Sequence, residues 1–411
     1  MVVEKVLGME KRKYIIIGAG PSGLAFAVRL MQRGENDFLL LESEDSAGGL
    51  CRSEDVDGSP LEISGGHFLD VKRRNVLDLV SCFMPLNEWD RYERITRIFI
   101  HGREIGSPVE SFIWQMPEEV QERYLRDIAE AGSNNGAPMP EKFVDWIYWK
   151  LGKSIAEDYM LPYNRKLFGE NLDLLGTYWL EKLPSVSYEE TMRSCREKRF
   201  FGKQPAHAQF FYPKKHGYGE VWRRMGASLG DRLILGEKAE SVDCARRIVN
   251  GKYVANCIVN TAPWTSFGEL SGITDRAADI VRSLIYSSVD VDYVPDNLDT
   301  EAQWIYYPDP ELSYHRILVR HNFCPGARGY WTETNSSRAK PLAEGAFRHT
   351  SKYAYPLNTI GKNEAMTELL AELKTNSVHG LGRWGEWQHC NSDVVVERAL
   401  ALADSIFDGR R

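Results

Sequence analysis

An apolar run that breaks on three glycines and then turns helical constrains this chain more than any other stretch. Residues 13–30 read KYIIIGAGPSGLAFAVRL, and residues 14–17 have the β-branched and aromatic composition of a buried parallel strand. The glycines that follow fit the spacing GxGxxG and are Gly18, Gly20 and Gly23. A helix is predicted over residues 22–32, so the pattern indicates a strand, a tight turn and a helix in an α/β domain.

Each glycine has a separate role if a dinucleotide lies on the turn. Gly18 permits the tight turn, Gly20 lets the backbone approach a pyrophosphate, and Gly23 lets the helix pack on the strand. The start of the helix, at Pro21 and Ser22, directs its free N–H groups and positive dipole toward the phosphates. The motif alone leaves three alternatives open: a nicotinamide cofactor, a flavin, and tight packing without a ligand.

A second apolar strand, residues 38–41, narrows these alternatives. It ends in Glu42, which lies 24 residues after Gly18. A carboxylate at that point binds the two hydroxyls of a ribose and repels a 2′-phosphate. The chain then passes Ser43 and makes two further glycine turns, GGLCR at residues 48–52 and GGH at residues 65–67.

This order of motifs resembles the flavoprotein superfamily of amine oxidases, protoporphyrinogen oxidase and UDP-galactopyranose mutase. The resemblance implies that FAD binds, with the second glycine pair along the cofactor and the GGH turn beside the isoalloxazine. A simple NAD dehydrogenase has no need of these extra turns. Besides the three glycines, the cofactor-binding residues implied in this part of the chain are Pro21, Ser22, Glu42, Ser43, Gly49, Leu50, Cys51, Gly66 and His67.

Two later segments complete the implied cofactor site. Residues 231–263 alternate like strands around the turn Asn250-Gly251, which is a strong hairpin signal. Residues 380–407 resemble the C-terminal FAD segment of the mutase branch, with a closing helix predicted from Asp393 and capped by Asn391 or Ser392. The contacts implied in these segments are Lys238, Ala239, Thr261, Ala262, Gly382, Arg383, Asn391 and Ser392.

The middle of the chain resembles the substrate side of the mutases. Residues 157–184 match a motif that implies three substrate contacts, Tyr163, Lys166 and Phe168, although a helical bundle would bury such a stretch equally well. Residues 314–326 and 352–359 resemble the strand pair and Tyr-Pro turn on that side. The catalytic residues that the resemblance implies are His67 against the isoalloxazine, and Arg316 and Tyr355 beside sugar and phosphate.

The chain departs from this family at the nucleotide. Two arginines that clamp the diphosphate in UDP-galactopyranose mutase are absent, and Val186 and Ser287 stand in their places. A diphosphate without bidentate arginine partners is held less tightly unless another cation substitutes. The cations available are Lys182, Arg316 and Arg328. A family tyrosine and aspartate near the C-terminus are replaced by His389 and Asn391, so the nucleotide and the sugar stay open.

Composition limits the partners and the compartment. A net charge of −7 and a pI near 5.8 argue against nucleic acid or an anionic membrane as the main partner. The seven cysteines are scattered and never spaced CxxC, which indicates reduced thiols in a cytoplasmic protein rather than disulfides or a metal site. We find no secretory signal and no run of about 18 apolar residues, so we expect no membrane span. The sequence leaves an oligomer open.

The expected architecture is an α/β flavoprotein with a discontinuous, Rossmann-like FAD-binding domain. That domain is predicted to comprise residues 11–73, 206–263 and 366–411. A mainly helical insertion is predicted over residues 74–205, and an antiparallel sheet over residues 264–365 is predicted to form the substrate domain.

The activity that the resemblance implies is an FAD-dependent nucleotide-sugar pyranose/furanose mutase, acting through N5 of the reduced flavin on the anomeric carbon. Such an enzyme would serve cell-surface polysaccharide biosynthesis, with NAD(P)H as a candidate external reductant. Two alternatives stay open. One is an FAD-dependent oxidoreductase of the amine or CH–CH type, which the cofactor motifs fit equally well. The other is a non-enzymatic binding module with a remnant flavin fold.

Overall fold

The apolar strand predicted before the glycine turn is the first strand of the structure, a computed structural model that describes residues 8–70, 72–180, 186–202 and 208–409. In chain order the strands within those residues are β1 (Glu10–Ile17), β2 (Phe38–Leu41), β3 (Ser53–Val56), β4 (Ser59–Glu62), β5 (Leu69–Asp70), β6 (Trp89–Glu93), β7 (Thr96–Ile100), β8 (Arg103–Gly106), β9 (Gln209–Pro213), β10 (Leu233–Ile234), β11 (Ser241–Asp243), β12 (Ile248–Val249), β13 (Tyr253–Asn260), β14 (Glu269–Ser271), β15 (Tyr286–Val294), β16 (Trp304–Tyr306), β17 (Arg316–Val319), β18 (Tyr330–Asn335), β19 (Arg348–Pro356) and β20 (Val378–Gly380).

The α-helices of the same residues alternate with these strands at both ends of the chain and cluster in its middle. In chain order they are α1 (Pro21–Gln32), α2 (Arg74–Ser81), α3 (Glu118–Ala129), α4 (Phe143–Ile155), α5 (Leu161–Phe168), α6 (Tyr188–Glu197), α7 (Gly219–Ala227), α8 (Asp275–Ser283), α9 (Lys362–Thr375), α10 (Gly382–Gly385) and α11 (Ser392–Asp408). Within the described ranges, none of the helices combines the length and the apolar character needed to cross a membrane.

The first large sheet holds the glycine turn at its centre. Its strand order is β10-β2-β1-β13-β12-β11-β14, and β20 also pairs with β13. Strand β1 runs parallel to both neighbours, so that Ile16 lies opposite Leu40 on one side and Val259 on the other. Layers cover both faces of these strands, which explains their uninterrupted apolar sequences. The predicted fold class, α/β with a Rossmann-like domain, is confirmed.

The second large sheet has the order β19-β15-β18-β17-β16-β7-β8 and is antiparallel except where β16 meets β7. The strands from β15 to β19 lie in the region expected to be antiparallel, whereas β7 and β8 come from the segment expected to be mainly helical. The strands β7 and β8 extend the edge of the sheet toward α3 and α4, because their inward residues Ile98, Ile100 and Ile105 are buried with that helical core. The division into three domains stays a prediction.

Candidate active site

The glycine turn is built so tightly that only two of its three glycines are required by the fold. Gly18 has a φ of 96°, in the left-handed region that favours glycine. A Cβ atom on Gly23 would lie 2.0 Å from the carbonyl oxygen of Gly18, which closes that position to any side chain. Thr261 holds the same turn from β13, because its hydroxyl donates to the carbonyl of Ile17 at 2.7 Å.

Gly20, in contrast, faces open space. Its φ of −74° suits any residue, and a Cβ atom there would meet the Cα of Gly49 at 3.9 Å, which is ordinary contact. Helix α1 begins just after it with Pro21, and the first turn has no acidic residue and no side-chain cap. The peptide N–H groups of such a helix start attract phosphate. The open glycine pair and the uncapped helix together fit a bound pyrophosphate.

Glu42 closes the other end of this cradle. Its side chain is buried, and its carboxylate accepts from the backbone N–H of Ala19 at 2.6 Å and from the hydroxyl of Ser43 at 3.1 Å. The segment around Ala239 runs beside it, since the N–H of Glu237 donates to the carbonyl of Glu42 at 2.8 Å. The predicted adenosine contacts therefore lie together, although the side chain of Lys238 is exposed and pairs with Glu240.

The C-terminal segment returns to the same helix start. A Cβ atom on Gly382 would lie 2.5 Å from the hydroxyl of Ser22 in α1, so the two backbones are in close contact. The Arg383 guanidinium donates to the carbonyls of Cys390 and Ala354, at 2.8 and 3.1 Å, and so joins this segment to β19.

The start of helix α11 completes this side of the cradle. Ser392, its first residue, shares a 2.7 Å hydrogen bond with the hydroxyl of Tyr218, while Asn391 occupies the N-cap position without a side-chain capping bond. The site also includes Cys51, in the short turn Gly49–Cys51 with Leu50. Burial raises the pKa of the Cys51 thiol, which therefore stays protonated. All these segments converge on one extended cradle whose chemistry fits FAD.

Beside the GGH turn, the second sheet presents a row of polar residues. Tyr306, Arg316 and Glu333 lie directly opposite one another on β16, β17 and β18. The guanidinium of Arg316 donates to Glu333 at 2.6 Å and to the hydroxyl of Tyr355 at 3.3 Å. Glu333 also accepts from the N–H of Gly66 at 3.1 Å. One buried carboxylate thus joins the turn of the first domain to the sheet.

Two of the predicted residues complete this cluster with neutral phenols. Tyr163 packs against Tyr306, with 5.2 Å between ring centroids, and Tyr355 packs against His389 at 5.0 Å. Burial raises the pKa of Tyr163 and of Tyr355, so both hydroxyls keep their protons at neutral pH. The ring of His67 is half-buried, and its Nδ1 lies 2.9 Å from the carbonyl of Gly65 in the same turn.

Three predicted substrate residues lie in other surroundings. Lys166 is buried, and its ammonium donates to the carbonyls of Tyr307 and Asp309; burial lowers its pKa to about 8. Phe168 belongs to the helical core, where it packs against Trp179. Arg328 is largely exposed and pairs with Asp57 at 2.6 Å. None of these three contacts described above joins the cluster around Arg316.

The positions that depart from the family pattern lie near the cluster or outside the described residues. Ser287 faces Tyr355 across β15 and β19. Val186 is buried, and Lys182 falls within residues 181–185, outside the described ranges. Among the residues that the structure describes, no group of three or more His, Cys, Asp and Glu side chains could hold a metal ion.

The sequence analysis missed two buried carboxylates, Glu62 and Glu333. A period-2 reading of YWTETN places Glu333 on the same strand face as Trp331, and an acidic residue on an apolar face was the available signal. Glu62 accepts three hydrogen bonds on one oxygen, from Ser53, Tyr212 and the backbone of Tyr218. Its other oxygen has no hydrogen-bond partner among the described residues. Burial raises the pKa of Glu62 to about 7 despite these bonds.

Glu62 predicts a measurable pH dependence of stability. Because its pKa is higher in the folded chain than in the unfolded one, the folded state binds more protons between pH 4.5 and about 7. Stability contributed by this group therefore falls as pH rises through that window, by about 3 kcal/mol in total. We expect urea unfolding to show that the stability difference between wild type and Glu62→Gln changes by this amount. A difference independent of pH would contradict the assignment.

Comparison with known proteins agrees with this geometry. A family described as an NAD(P)-binding Rossmann-like domain matches residues 16–83. Putrescine oxidase from Kocuria rosea is 33% identical over 103 residues, which cover 24% of this chain and 21% of that protein. UDP-galactopyranose mutase from Mycoplasma pneumoniae is 31% identical over 81 residues, covering 19% and 20% of the two chains. These sequence matches therefore span about a fifth of each relative.

Solved structures extend the similarity to the whole fold. A crystal structure of reduced UDP-galactopyranose mutase has a TM-score of 0.86 at 23% identity, covering 97% of this chain and 94% of that one. Putrescine oxidase bound to putrescine has a TM-score of 0.66 at 15% identity, covering 97% and 99%. Fold and site together define a dinucleotide-binding protein of the Rossmann type. The chain belongs to the FAD flavoprotein superfamily that includes amine oxidases, protoporphyrinogen oxidase and UDP-galactopyranose mutase.

Proposed function

We propose that this chain is an FAD-dependent, mutase-like enzyme that interconverts the pyranose and furanose forms of a nucleotide sugar. When bound in its reduced form, FAD supplies a nucleophilic N5 atom for the anomeric carbon. The observation that carries the proposal is the 3.1 Å hydrogen bond between the Gly66 N–H and Glu333. It places the turn predicted to lie beside the flavin against a polar row suited to sugar and phosphate.

The residues of that row bind and orient in this proposal. The Tyr355 hydroxyl accepts from Arg316 and keeps its own proton, which it can donate to a sugar oxygen. Glu333 fixes the guanidinium of Arg316 from the opposite side. The ring of His67, oriented by Gly65, lies at the flavin end of the site. Burial of the row excludes water and strengthens each of these contacts.

The structural similarity to the mutase, which is higher than that to putrescine oxidase, supports this choice within the superfamily. The runner-up is an FAD-dependent oxidoreductase that takes a hydride from an amine or a CH–CH bond. The sequence match to putrescine oxidase in the cofactor half favours it. Both candidates use the same cradle, so the difference lies in what the polar row binds.

One set of measurements separates the candidates. The purified protein, loaded with FAD, is offered a panel of nucleotide sugars before and after reduction with dithionite, and sugar ring forms are followed by chromatography. Isomerisation only in the reduced state supports the mutase. Bleaching of the oxidised flavin by an amine or another reductant substrate, without isomerisation, supports the oxidoreductase. Protein that takes up no FAD contradicts both.

Tyr355→Phe is expected to keep FAD bound and to slow turnover. The change removes one hydroxyl that accepts from a charged guanidinium, and bonds of this type contribute about 1.5–3 kcal/mol. The rate of isomerisation should therefore fall roughly 10- to 100-fold. Flavin absorbance and turnover of the reduced enzyme provide the two readouts. Turnover equal to that of the wild type would remove Tyr355 from the site.

The remaining expectations form part of the same proposal. We assign the enzyme to the cytoplasm and to cell-surface polysaccharide biosynthesis, with NAD(P)H as the external reductant. Its FAD-binding domain is proposed to comprise residues 11–73, 206–263 and 366–411, with the helical insertion and the substrate sheet between these segments.

A further inference from the structure

The arginines that are absent at Val186 and Ser287 raise the question of which cations hold an anionic substrate. We propose that Arg94 and Arg316, on either side of Tyr306, form the subsite for the diphosphate of the nucleotide sugar. The inference rests on the proposed function and assigns its anionic subsite. Arg94 belongs to none of the motifs found in the sequence.

Three contacts hold the Arg94 guanidinium in place, between β6 and β7. Its Nη2 donates to the hydroxyl of Tyr306 at 2.9 Å, and its Nε donates to the hydroxyl of Thr96 at 2.9 Å. Its central carbon lies 4.4 Å from the centroid of the Trp304 ring. These contacts are to neutral groups, which orient a guanidinium without neutralising it. A planar guanidinium fixed in this way loses little further entropy when it binds phosphate.

The register of the sheet places the second arginine close by. Arg316 on β17 is directly opposite Tyr306 on β16, and side chains at such positions leave their strands about 4.5–5.5 Å apart. Trp304 lies two residues before Tyr306 and therefore points to the same face. One phenol thus separates the two guanidiniums on the face that meets the GGH turn, because a Cβ atom on Gly66 would contact Trp304 at 3.4 Å.

Arg316 has a donor available for an anion. Its Nη2 is used by Glu333 and Tyr355, but its buried Nε has no hydrogen-bond partner among the described residues. A buried N–H without a partner costs about 1–3 kcal/mol, and a phosphoryl oxygen is a strong acceptor. Two arginines, one for each phosphoryl group, replace in this chain the two that the family pattern lost.

The test is calorimetric binding to the FAD-loaded protein. The probes are inorganic pyrophosphate and the diphosphates of uridine, guanosine and thymidine. Arg94→Gln is expected to raise the dissociation constant of the diphosphates roughly 10- to 100-fold, which is the loss of one charged hydrogen-bonding group. The matched control is Arg97→Gln. Arg97 lies three residues along the chain and pairs with the exposed Glu301, so the control should bind like the wild type.

Two more variants guard against a folding defect. Arg94→Lys keeps the charge and loses the planar fork, so an intermediate loss of affinity is expected. Tyr306→Phe keeps the ring and removes the hydroxyl that orients Arg94, so a smaller loss is expected with the FAD content unchanged.

The possible results are distinct. If wild type binds diphosphates and Arg94→Gln binds them equally well, the inference is overturned while the proposed function stands. If wild type isomerises nucleotide sugars but every Arg94 variant keeps the wild-type Michaelis constant, the inference is overturned as well. If wild type binds none of the probes and isomerises no nucleotide sugar, the proposed function fails together with the inference. Weaker diphosphate binding confined to the Arg94 and Tyr306 variants supports the assignment.

Discussion

Gly20→Val is expected to leave the protein folded and to abolish its retention of FAD. The backbone of Gly20 has an ordinary φ of −74°, and a Cβ atom there meets protein only at 3.9 Å. The cost to the fold is therefore about 1 kcal/mol, for replacing glycine at a helix N-cap. The space that the valine fills is the space through which the backbone approaches a pyrophosphate. Loss of flavin without loss of structure locates the cofactor at this turn.

The measurement is the ratio of flavin to protein absorbance after loading and gel filtration, with circular dichroism as the test of folding. Gly268→Val is the matched control, because that glycine also has room for a Cβ atom, with its nearest contact at 3.5 Å, and lies away from the cradle. It should retain FAD. By comparison, Gly23→Val would bring a Cβ atom within 2.0 Å of a backbone oxygen and should fail to fold. A Gly20→Val protein with full flavin content would show that the turn does not bind the cofactor.

Glu333→Gln is expected to produce the second large effect, a loss of about 3 kcal/mol or more in the free energy of unfolding. Burial alone lowers the pKa of Arg316, but the Glu333 carboxylate outweighs burial and raises it. Without that carboxylate the guanidinium is a buried charge with no compensating anion, and the N–H of Gly66 loses its charged acceptor. Urea unfolding of the FAD-loaded protein measures the loss.

A double variant shows whether the charge is the cause. Arg316→Met removes the guanidinium, so the double variant with Glu333→Gln is expected to regain stability relative to Glu333→Gln alone, although it should have little activity. Equal instability of the double variant would mean that the loss comes from the hydrogen bond to Gly66 rather than from the unpaired charge. Stability of Glu333→Gln equal to that of the wild type would contradict the assigned ion pair.

These two predictions concern different halves of the molecule. Gly20 belongs to a cradle shared across the superfamily, and it decides whether a cofactor binds. Glu333 lies between the cradle and the second sheet, where it holds Arg316 and Tyr355 in place. We expect variants of the first kind to remove flavin and variants of the second kind to leave flavin bound while changing what the bound flavin can act on.

The sequence alone determined the cofactor half of this protein. The strand at residues 38–41 has the bounds predicted, and the helix after the glycine turn begins one residue earlier than predicted. Local chemistry suffices there, because tight turns need glycine and a parallel strand buried on both faces needs an apolar run. The hairpin at Asn250-Gly251 forms for the same reason, as its strands β12 and β13 pair in antiparallel fashion.

Only the tertiary structure decided the substrate half. The pairing of Tyr306 with Arg316 and Glu333 depends on the register of three strands that are far apart in sequence, and no local pattern specifies that register. The same register brings Arg94 to Tyr306, and it leaves Lys166 bonded to backbone carbonyls instead of to the cluster. Side-chain type was readable from the chain, whereas the distances that make a charge a partner, a ligand or a packing residue arise when separate strands meet.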